Sequence, residues 1–252
     1  MKILRNYVKS DLRQLVKSYT WLIGMIGVAV FLFFALETQG FYNNNVVSTY
    51  TFATMMTGAL ITYVFCAFPY ATTFSEELEH QYARYCIIRG NLKWYVLSKS
   101  LVIYFSSIVV MLGGSFLFLI LCRTQVPWMD WEVGNDYGSL LAECYGDILR
   151  ANKPIVYCML YALHTGLLAG MLSLVAAFCS IHISNRVLIL VMPAFVFRIL
   201  ASLNIAGYNI YIFYCFKIFE KNWQNFLFIF LLSAIPSLLL TIGIYQSMKR
   251  KL

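Results

Sequence analysis

The stretch from Ser100 to Cys122 reads SLVIYFSSIVVMLGGSFLFLILC and contains no charged side chain. A helix of about 20 residues crosses the ~30 Å hydrocarbon core of a bilayer, where a backbone outside a helix or a closed barrel has no hydrogen-bond partner. The stretch lacks the alternation of a barrel strand, so a helix is expected. Five more stretches are similarly long and apolar: Trp21 to Thr38, Thr51 to Thr73, Pro154 to Ile181, Val187 to Ala206 and Asn225 to Tyr245. The sequence therefore predicts an all-α, polytopic membrane protein with six transmembrane helices in one domain, residues 1–252.

The basic residues between these stretches lie mostly on alternate sides. One side would hold 13 of the 19 Lys and Arg residues: Lys2, Arg5, Lys9, Arg13, Lys17, Arg84, Arg89, Lys93, Lys99, Arg186, Lys249, Arg250 and Lys251. Since loops rich in Lys and Arg stay in the cytoplasm, we expect both termini to be cytoplasmic in a multi-pass protein of the cell membrane, most simply the bacterial cytoplasmic membrane. The net charge of +8 follows the membrane edges without a nucleic-acid recognition motif. Membrane lipids, and not nucleic acid, are therefore the expected counter-charge.

The overall composition leaves little room for a soluble domain, because 61% of the residues are hydrophobic and only 12% are charged. Seven cysteines are scattered along the chain without a CxxC pair, so neither a disulfide framework nor a zinc site is indicated. Cys144 and Cys215 are both predicted at the external side. Whether these two cysteines pair is left open by the sequence, because pairing depends on their geometry.

Residues 1–20 form a distinct element with an apolar stripe at helical spacing. The stripe consists of Ile3, Leu4, Tyr7, Val8, Leu12, Leu15, Val16 and Tyr19, while basic residues occupy the other face. This pattern is typical of an amphipathic helix that lies in the membrane interface with its Lys and Arg side chains directed toward the headgroups. The alternative is an ordinary basic flank that only sets the topology of the first span.

The segment from residue 74 to residue 99 is predicted to be a cytoplasmic loop between the second and third spans. It begins with Phe74 and the carboxylates Glu76, Glu77 and Glu79, and it breaks at Gly90 before a second aromatic stretch. A short helix that presents carboxylates and aromatic side chains is suited to docking on a partner. A solvated hairpin with acidic residues at a helix start, where the helix dipole favours them, explains the same pattern.

Here the chain resembles the ABC-2-type transporter permeases. The resemblance lies in the basic leader, the six spans and the 74–99 segment, in which Phe74, Glu77, the pair Arg89-Gly90 and Lys99 look like the coupling-helix region of that family. The resemblance implies that Phe74, Glu76, Glu77, Glu79, Arg89 and Gly90 couple the chain to cytoplasmic ATPase subunits. It also implies a second permease copy or a related permease chain as a partner.

Two segments are predicted on the external side. Residues 207–224 are too apolar for an ordinary loop and are similar to the re-entrant external helices that precede the last span in that family. Residues 123–153 form a net acidic loop of about thirty residues, longer than a minimal permease needs, and loops of this length are often functional. The sequence does not decide whether this loop shapes an exit or only covers the surface.

Sequence motifs of catalysis are absent from the chain. There is no GxxxxGK[ST] motif, so ATP and Mg²⁺ are expected on a partner subunit, and this chain itself is expected to hold no cofactor or metal. An intramembrane protease is a weaker alternative, prompted by Glu76-Glu77 and the histidines His164 and His182. The glutamyl protease signature has Arg where this chain has Gln81, and its glutamates belong in a span and not in a loop.

Two features inside the predicted spans call for separate explanations. Arg198 lies in the fifth span, where an ionised side chain costs on the order of 3 kcal/mol, so it is expected to line a translocation path or a seam between permeases. Snorkelling to the external headgroups is the alternative. Ala162, Gly166 and Gly170 recur every four residues in the fourth span and predict a close helix contact, within one chain more readily than between two.

The resemblance therefore implies a permease subunit of an ATP-binding cassette transporter. Export of a hydrophobic or peptide-like substrate, including antimicrobial peptide export or immunity, is the expected role, although the residues name no cargo and do not separate import from export. The alternative is a different functional class of membrane protein, a scaffold or sensor that transports nothing. Association with an ATPase distinguishes the two, because a scaffold does not need one.

Overall fold

The computed structural model describes residues 2–37, 45–79, 91–129, 141, 143–183, 185–203, 210–215 and 217–251. Within these ranges the chain is helical and no strand occurs. The α-helices are α1 (Lys2–Lys17), α2 (Thr20–Glu37), α3 (Val46–Met55), α4 (Leu60–Ala67), α5 (Thr73–Glu79), α6 (Leu92–Arg123), α7 (Gly146–Arg150), α8 (Pro154–His182), α9 (Arg186–Ser202) and α10 (Asn222–Lys251), with 3₁₀ turns at Thr57–Ala59 and Ile210–Phe213.

Four of these helices, α2, α6, α8 and α10, are long and apolar enough to cross a membrane. A fifth span results if α3 and α4 are counted as one broken element, since their axes bend by 83°. The helix α9 has 17 residues, at the lower end of the range of about 17–25 residues that a spanning helix needs. The expectation of an all-α membrane protein is therefore confirmed for the described residues, with four to five candidate spans.

The second predicted span, 51–73, is not one continuous helix. α3 ends at Met55, a 3₁₀ turn follows, and α4 starts at Leu60. At this turn the backbone of Gly58 lies so close to α2 that a Cβ atom added there would be only 3.1 Å from the Cα and Cβ atoms of Ala35. The apolar pattern runs through the break unchanged, so hydropathy could not locate it.

Asparagine side chains cap three of the helices. The Oδ1 atom of Asn45 accepts from the Ser48 amide at 2.8 Å, that of Asn91 accepts from the Lys93 amide at 2.9 Å, and that of Asn185 accepts from the Val187 amide at 3.0 Å. Each bond satisfies an amide that the first turn of a helix leaves without a partner. The caps therefore set where α3, α6 and α9 begin.

α8 forms the centre of the bundle, because most of its side chains are buried, whereas α10 buries only a few of its own. Its face with Ala162, Gly166 and Gly170 packs on α6. A Cβ atom added at Gly170 would lie 2.8 Å from the Tyr104 ring, whereas one at Gly166 would be 3.6 Å from Ile108. The small residues thus allow two helices of the same chain to approach closely.

Large apolar side chains point outward on the peripheral helices. Examples are Ile26, Val30 and Phe34 on α2, Phe105 and Val109 on α6, and Ile235, Leu238, Leu239 and Ile242 on α10. Water would solvate such a surface poorly, whereas hydrocarbon would cover it. This outer surface agrees with the helix lengths in pointing to a membrane protein.

α1 packs against α6 through one part of its apolar stripe only. Leu15 is buried there, and Tyr7 packs edge-on against Tyr95 with ring centroids 6.3 Å apart. Leu12, Val16 and Tyr19 of the same stripe remain exposed. The stripe therefore faces two surroundings, the bundle and the medium beside it.

Several contacts bring the predicted cytoplasmic elements to one end of the bundle. Asp11 of α1 meets Lys99 of α6, Glu76 of α5 meets Arg186 of α9, and Lys251 of α10 donates to the Ile181 carbonyl of α8. We call this end, formed by α1, α5, the starts of α6 and α9 and the ends of α8 and α10, the basic end. The remaining end is called the opposite end.

Candidate functional site

A lysine is buried at the basic end. Lys99, in the second turn of α6, is only 1% exposed. Its ammonium group donates to Oε1 of Glu77 at 2.6 Å and lies 3.4 Å from Oδ1 of Asp11. A buried charge is costly unless it is paired and hydrogen-bonded, so these two carboxylates are what allows Lys99 to remain in the interior.

Neutral donors complete the shell of both carboxylates. The Ser98 hydroxyl donates to Oδ2 of Asp11 at 2.6 Å, and the Tyr70 hydroxyl donates to Oδ1 at 3.3 Å. The Tyr95 hydroxyl donates to Glu77. The Lys99 ammonium also lies 5.2 Å and 5.4 Å from the ring centroids of Tyr70 and Tyr95, within cation–π range. We call Asp11, Tyr70, Glu77, Tyr95, Ser98 and Lys99 the ion cluster.

The ion cluster joins three helices that are far apart in sequence. Asp11 belongs to α1, Glu77 to α5, and Lys99 to α6. Two carboxylates face one ammonium, so the formal charge of the cluster is −1 when all three are ionised. Because every charged member has a partner on a different helix, α5 cannot shift away from α6 without leaving a buried charge unpaired.

The predicted coupling residues are divided between the interior and the surface. Phe74 is fully buried, with its ring centroid 6.4 Å from that of Tyr95, and Glu77 belongs to the ion cluster. Glu79 is exposed, and the Glu76 side chain is 41% exposed beside Arg186 at 3.8 Å. Arg89 and Gly90 lie outside the described residues. Residues 92–99 form the first turns of α6, so the predicted 74–99 loop begins and ends in helices.

Sequence reasoning did not identify Asp11, Tyr70 or Ser98. One signal pointed to Asp11: it is the only acidic residue before Glu37, on a helix that is otherwise basic. An isolated carboxylate among cations, on the apolar side of an amphipathic helix, indicates a specific partner. Lys99 gave a similar signal, because it immediately precedes the apolar run of α6.

A second polar group lies in the opposite half of the bundle, around His164 of α8. Its Nε2 atom is 2.9 Å from the Tyr145 hydroxyl, and its Nδ1 atom is 3.2 Å from the Cys215 thiol. Tyr145 and Cys215 have positive φ values of 68° and 59°, a conformation that costs a residue with a side chain roughly 1–2 kcal/mol. Both predicted external segments thus reach His164 in a strained conformation.

Cys144 and Cys215 are neighbours but are not bonded through sulfur. The Cys144 amide donates to the Cys215 carbonyl at 3.0 Å, and both residues are buried free thiols. Burial raises the pKa of the Cys144 thiol to about 11. The question that the sequence left open is therefore answered by the structure in favour of two thiols.

Tyrosine hydroxyls pair with each other and with neighbouring hydroxyls near His164. The Tyr63 and Tyr214 hydroxyls are 3.0 Å apart, and the Tyr50 hydroxyl donates to Ser115 at 3.0 Å. The Thr54 hydroxyl donates to that of Tyr161 at 3.3 Å. We call Tyr50, Thr54, Tyr63, Ser115, Tyr161 and Tyr214 the hydroxyl layer. All six residues are buried, so this layer fills the interior between α3, α4, α6, α8 and the 210–215 segment.

Glu143 lies beside this layer in the segment before α7. The Tyr157 hydroxyl donates to its Oε2 atom at 3.2 Å. Burial raises the pKa of Glu143 above its usual value of 4.5, and the hydrogen bond from Tyr157 opposes that shift in part. The acid is thus favoured in its protonated form relative to an exposed glutamate.

The remaining predicted residues have few contacts. Arg198 is exposed on α9, and no ion pair or hydrogen bond joins it to any described residue. The two histidines of the protease alternative are separated from the glutamates: His164 contacts Tyr145 and Cys215, and His182 lies 3.4 Å from the Ser247 hydroxyl. Across the described ranges, no group of three or more His, Cys, Asp or Glu side chains is arranged to hold a metal ion.

Comparisons with known proteins identify no relative. No family model matches the chain, and no curated protein or solved structure matches it. The function has to follow from the residues and their contacts.

Proposed function

We propose that this chain is the permease subunit of an ATP-binding cassette transporter of the ABC-2 type. In this proposal it crosses the cell membrane six times, with α9 and the broken pair α3 and α4 each counted as a span. The basic end and both termini face the cytoplasm, and α1 lies in the membrane interface. The observation that carries the proposal is the ion cluster, which couples a short segment at the basic end to a membrane-spanning helix.

The ion cluster supports a mechanical role for α5. A cytoplasmic ATPase would contact Glu79, which is exposed, and Glu76, which is partly exposed beside Arg186, while Phe74 and Glu77 anchor the other face of the same short helix in the bundle. A displacement of α5 then acts on Lys99. Removing one partner of a buried ion pair costs about 3–5 kcal/mol, because the other charge is left uncompensated. Moving α5 away from α6 would likewise leave Glu77 without its ionic partner, so moving the two helices together is cheaper.

α6 would carry this displacement toward the hydroxyl layer. The helix has 32 residues, with Lys99 near its start and Ser115 in the layer. Sixteen residues of helix correspond to about 24 Å, most of the hydrocarbon thickness. A movement of α6 would change the Tyr50–Ser115 contact and loosen the layer, whose buried side chains fill the interior of this half of the bundle. We propose that cargo passes when the layer opens.

The expected cargo is hydrophobic or peptide-like. An apolar groove of about 940 Å³ between α8, α9 and α10 supports this class, and it is lined by side chains such as Phe178, Leu200, Phe213, Phe228 and Leu239. Its size lies near the upper end of the range of about 300–1,000 Å³ that is usual for small-molecule sites. The partner subunits would bind ATP and Mg²⁺, and a second permease would complete the path.

The topology is tested by labelling single cysteines in a cysteine-free background on intact cells. A membrane-impermeant thiol reagent should modify a cysteine at Lys153, at the opposite end, and should leave one at Glu79 unmodified until the cells are opened. Labelling of position 79 from outside would contradict the proposed orientation.

The permease function is tested by purifying the tagged chain from its own host membrane in mild detergent and measuring ATP hydrolysis in the eluate. We expect an associated ATPase, and we expect the double variant Glu76→Lys, Glu79→Lys to lose that ATPase. The variant should remain folded, because Glu79 is exposed and the Glu76–Arg186 contact is a surface ion pair, worth about 0–1 kcal/mol. Glu220→Lys, exposed at the opposite end, is the matched control and should keep the ATPase.

Either of two results would contradict the proposal. One is an intact, folded chain without associated ATP hydrolysis, which would favour a scaffold or sensor. The other is normal association and normal hydrolysis in the double variant, which would remove the role of α5 in docking.

A further inference from the structure

A polar pocket lies at the basic end beside the ion cluster, with which it shares Tyr70. It has a volume of about 310 Å³ and is enclosed by the α1–α2 turn, the α4–α5 corner and the start of α9. Its lining residues are Gln14, Ser18, Thr20, Phe68, Pro69, Tyr70, Thr72, Thr73, Glu76, Arg186 and Leu190. The pocket therefore lies at the level where α2 and α9 start and where the α3–α4 element ends.

One cation and one anion lie side by side in the lining of this pocket. The Arg186 guanidinium is 3.8 Å from Oε1 of Glu76, and the two side chains are 61% and 41% exposed. At this distance the pair is an ion pair without a hydrogen bond. The Arg186 guanidinium makes no hydrogen bond to any described residue, so its donors are available to a ligand in the pocket.

Glu76 also keeps acceptor capacity for a ligand. The Thr72 hydroxyl donates to Oε1 of Glu76 at 3.2 Å, the same oxygen that faces Arg186. A carboxylate has about four lone-pair sites, so Oε2 remains able to accept from a cation. Ser18 and Thr20, whose hydroxyl oxygens are 2.7 Å apart, add further polar groups at the wall.

The apolar side of the pocket indicates where the rest of a ligand would lie. Phe68, Pro69 and Leu190 belong to the lining, and Val187 and Leu188, which precede Leu190 on α9, are exposed. A ligand with a charged head in the pocket and hydrocarbon chains along α9 fits both surfaces. The head must carry a negative group for Arg186 and a positive group with N–H donors for Glu76.

We propose that this pocket binds the headgroup of a phospholipid that carries both a phosphate and a primary ammonium group, of the phosphatidylethanolamine kind. The phosphate would contact Arg186, whose planar group of donors matches phosphate oxygens, and the ammonium would contact Glu76. The ligand would thus insert into the loose 3.8 Å ion pair and replace it with two hydrogen-bonded charge contacts. The lipid would tie α1, α5 and α9 together at the membrane surface.

This inference shares one premise with the proposed function, that the basic end lies at a membrane surface. It does not require an ATPase.

Purified chain in detergent is mixed with equal amounts of phosphatidylethanolamine, phosphatidylcholine and phosphatidylglycerol, and native mass spectrometry counts the lipids that each chain retains. A further sample receives water-soluble phosphoethanolamine as competitor, which separates a lipid site from a site for the free headgroup.

We expect the wild-type chain to retain phosphatidylethanolamine about tenfold better than phosphatidylcholine, whose quaternary nitrogen has no N–H to donate. Arg186→Gln should reduce retention of both lipids. Glu76→Gln should bring the two lipids close to parity while lipid is still retained. Arg250→Gln and Glu79→Gln change exposed charges at the same end but outside the pocket. Both control variants should retain the lipids in the same proportions as the wild-type chain.

Equal retention of the three lipids by the wild-type chain would overturn the proposal, as would unchanged selectivity in both pocket variants. Preferential retention of phosphatidylglycerol would show a site for phosphate alone and would equally contradict it. Competition by phosphoethanolamine without lipid retention would assign the pocket to a soluble ligand. None of these results depends on whether an ATPase associates, so the inference and the permease proposal can fail separately.

Discussion

Replacement of Lys99 by Met is the most direct test of the ion cluster. Methionine has nearly the volume of the lysine stem but no charge, so the substitution removes the ammonium and leaves two carboxylates, Asp11 and Glu77, each only 8% exposed. Removing one partner of a buried ion pair costs about 3–5 kcal/mol, because the other charge remains buried without compensation. We expect a loss of stability in this range for Lys99→Met.

Restoring neutrality should recover most of this loss. In the triple variant Asp11→Asn, Glu77→Gln, Lys99→Met no charge remains in the cluster. Replacement of a buried ion pair by well-packed hydrophobic residues is often neutral in stability, and the two amide oxygens can still accept from the Ser98 and Tyr95 hydroxyls. The triple variant should therefore be more stable than the single variant although it carries more substitutions. Lys93→Met, on the exposed side of the same helix, is the matched control and should change stability by less than about 0.5 kcal/mol.

The measurement is reversible unfolding in mixed detergent micelles, followed by the loss of helical circular dichroism. The same variants are then assayed for associated ATP hydrolysis, where the triple variant separates a folding role from a coupling role: a folded but uncoupled protein is expected. The cluster would have no structural role if Lys99→Met lost less than about 1 kcal/mol. It would have no ionic role if the triple variant were less stable than the single variant.

Three further substitutions test the packing, the backbone and the titration of the protein. Gly170→Ala should lower the free energy of unfolding by about 1–3 kcal/mol, because the new Cβ would lie 2.8 Å from the Tyr104 ring. Gly166→Ala should be tolerated, because its Cβ would be 3.6 Å from Ile108. Equal unfolding midpoints for the two variants would contradict the close α6–α8 contact. Asn152 has a φ of 55°, in the left-handed region that a β-branched residue adopts at a cost. Asn152→Val should therefore lower the free energy of unfolding by about 1–2 kcal/mol more than Ala151→Val does. A smaller difference would refute the left-handed backbone. The pKa of Glu143 is raised in the folded protein, so its contribution to stability is full below pH 4.5 and is lost as the pH rises through the raised pKa. Glu143→Gln lacks this titration, so its melting temperature should rise relative to that of the wild type between pH 4.5 and 8. A difference in melting temperature that does not change with pH would exclude this.

Hydropathy located the long helices but not their ends. The third span was predicted from Ser100 to Cys122, and α6 runs from Leu92 to Arg123. An apolar run marks the part of a helix that fits hydrocarbon, whereas the helix continues until its backbone is capped. At α6 the cap is Asn91, eight residues before Lys99, so polar turns of the helix were assigned to the loop.

The ion cluster could be predicted only in part. Glu77 stands between two other glutamates in a short acidic run, which is typical of a solvated surface, and nothing local separates it from Glu76 and Glu79. Its burial depends on Lys99, 22 residues further along, and on the helix that carries Asp11, 88 residues from that lysine. Long-range pairing of this kind is a property of the tertiary packing and is not encoded in the local pattern.

The position of α6 explains why one helix would link the two polar groups of the bundle. At the basic end Lys99 pairs with carboxylates of α1 and α5. Near the middle of α6 the Tyr104 hydroxyl lies 2.6 Å from the Ser233 hydroxyl of α10, and further along Ser115 accepts a hydrogen bond from the Tyr50 hydroxyl. No proline interrupts α6 between Lys99 and Ser115. Gly113 and Gly114 stand directly before Ser115, and Gly-Ser pairs are sites where helices kink, so a kink site of α6 lies next to the hydroxyl layer. In the proposed mechanism the turns from Lys99 to Leu112 would carry a displacement toward this site, and bending there would change the position of Ser115. This favours α6 as the element that conveys movement from the basic end to the hydroxyl layer.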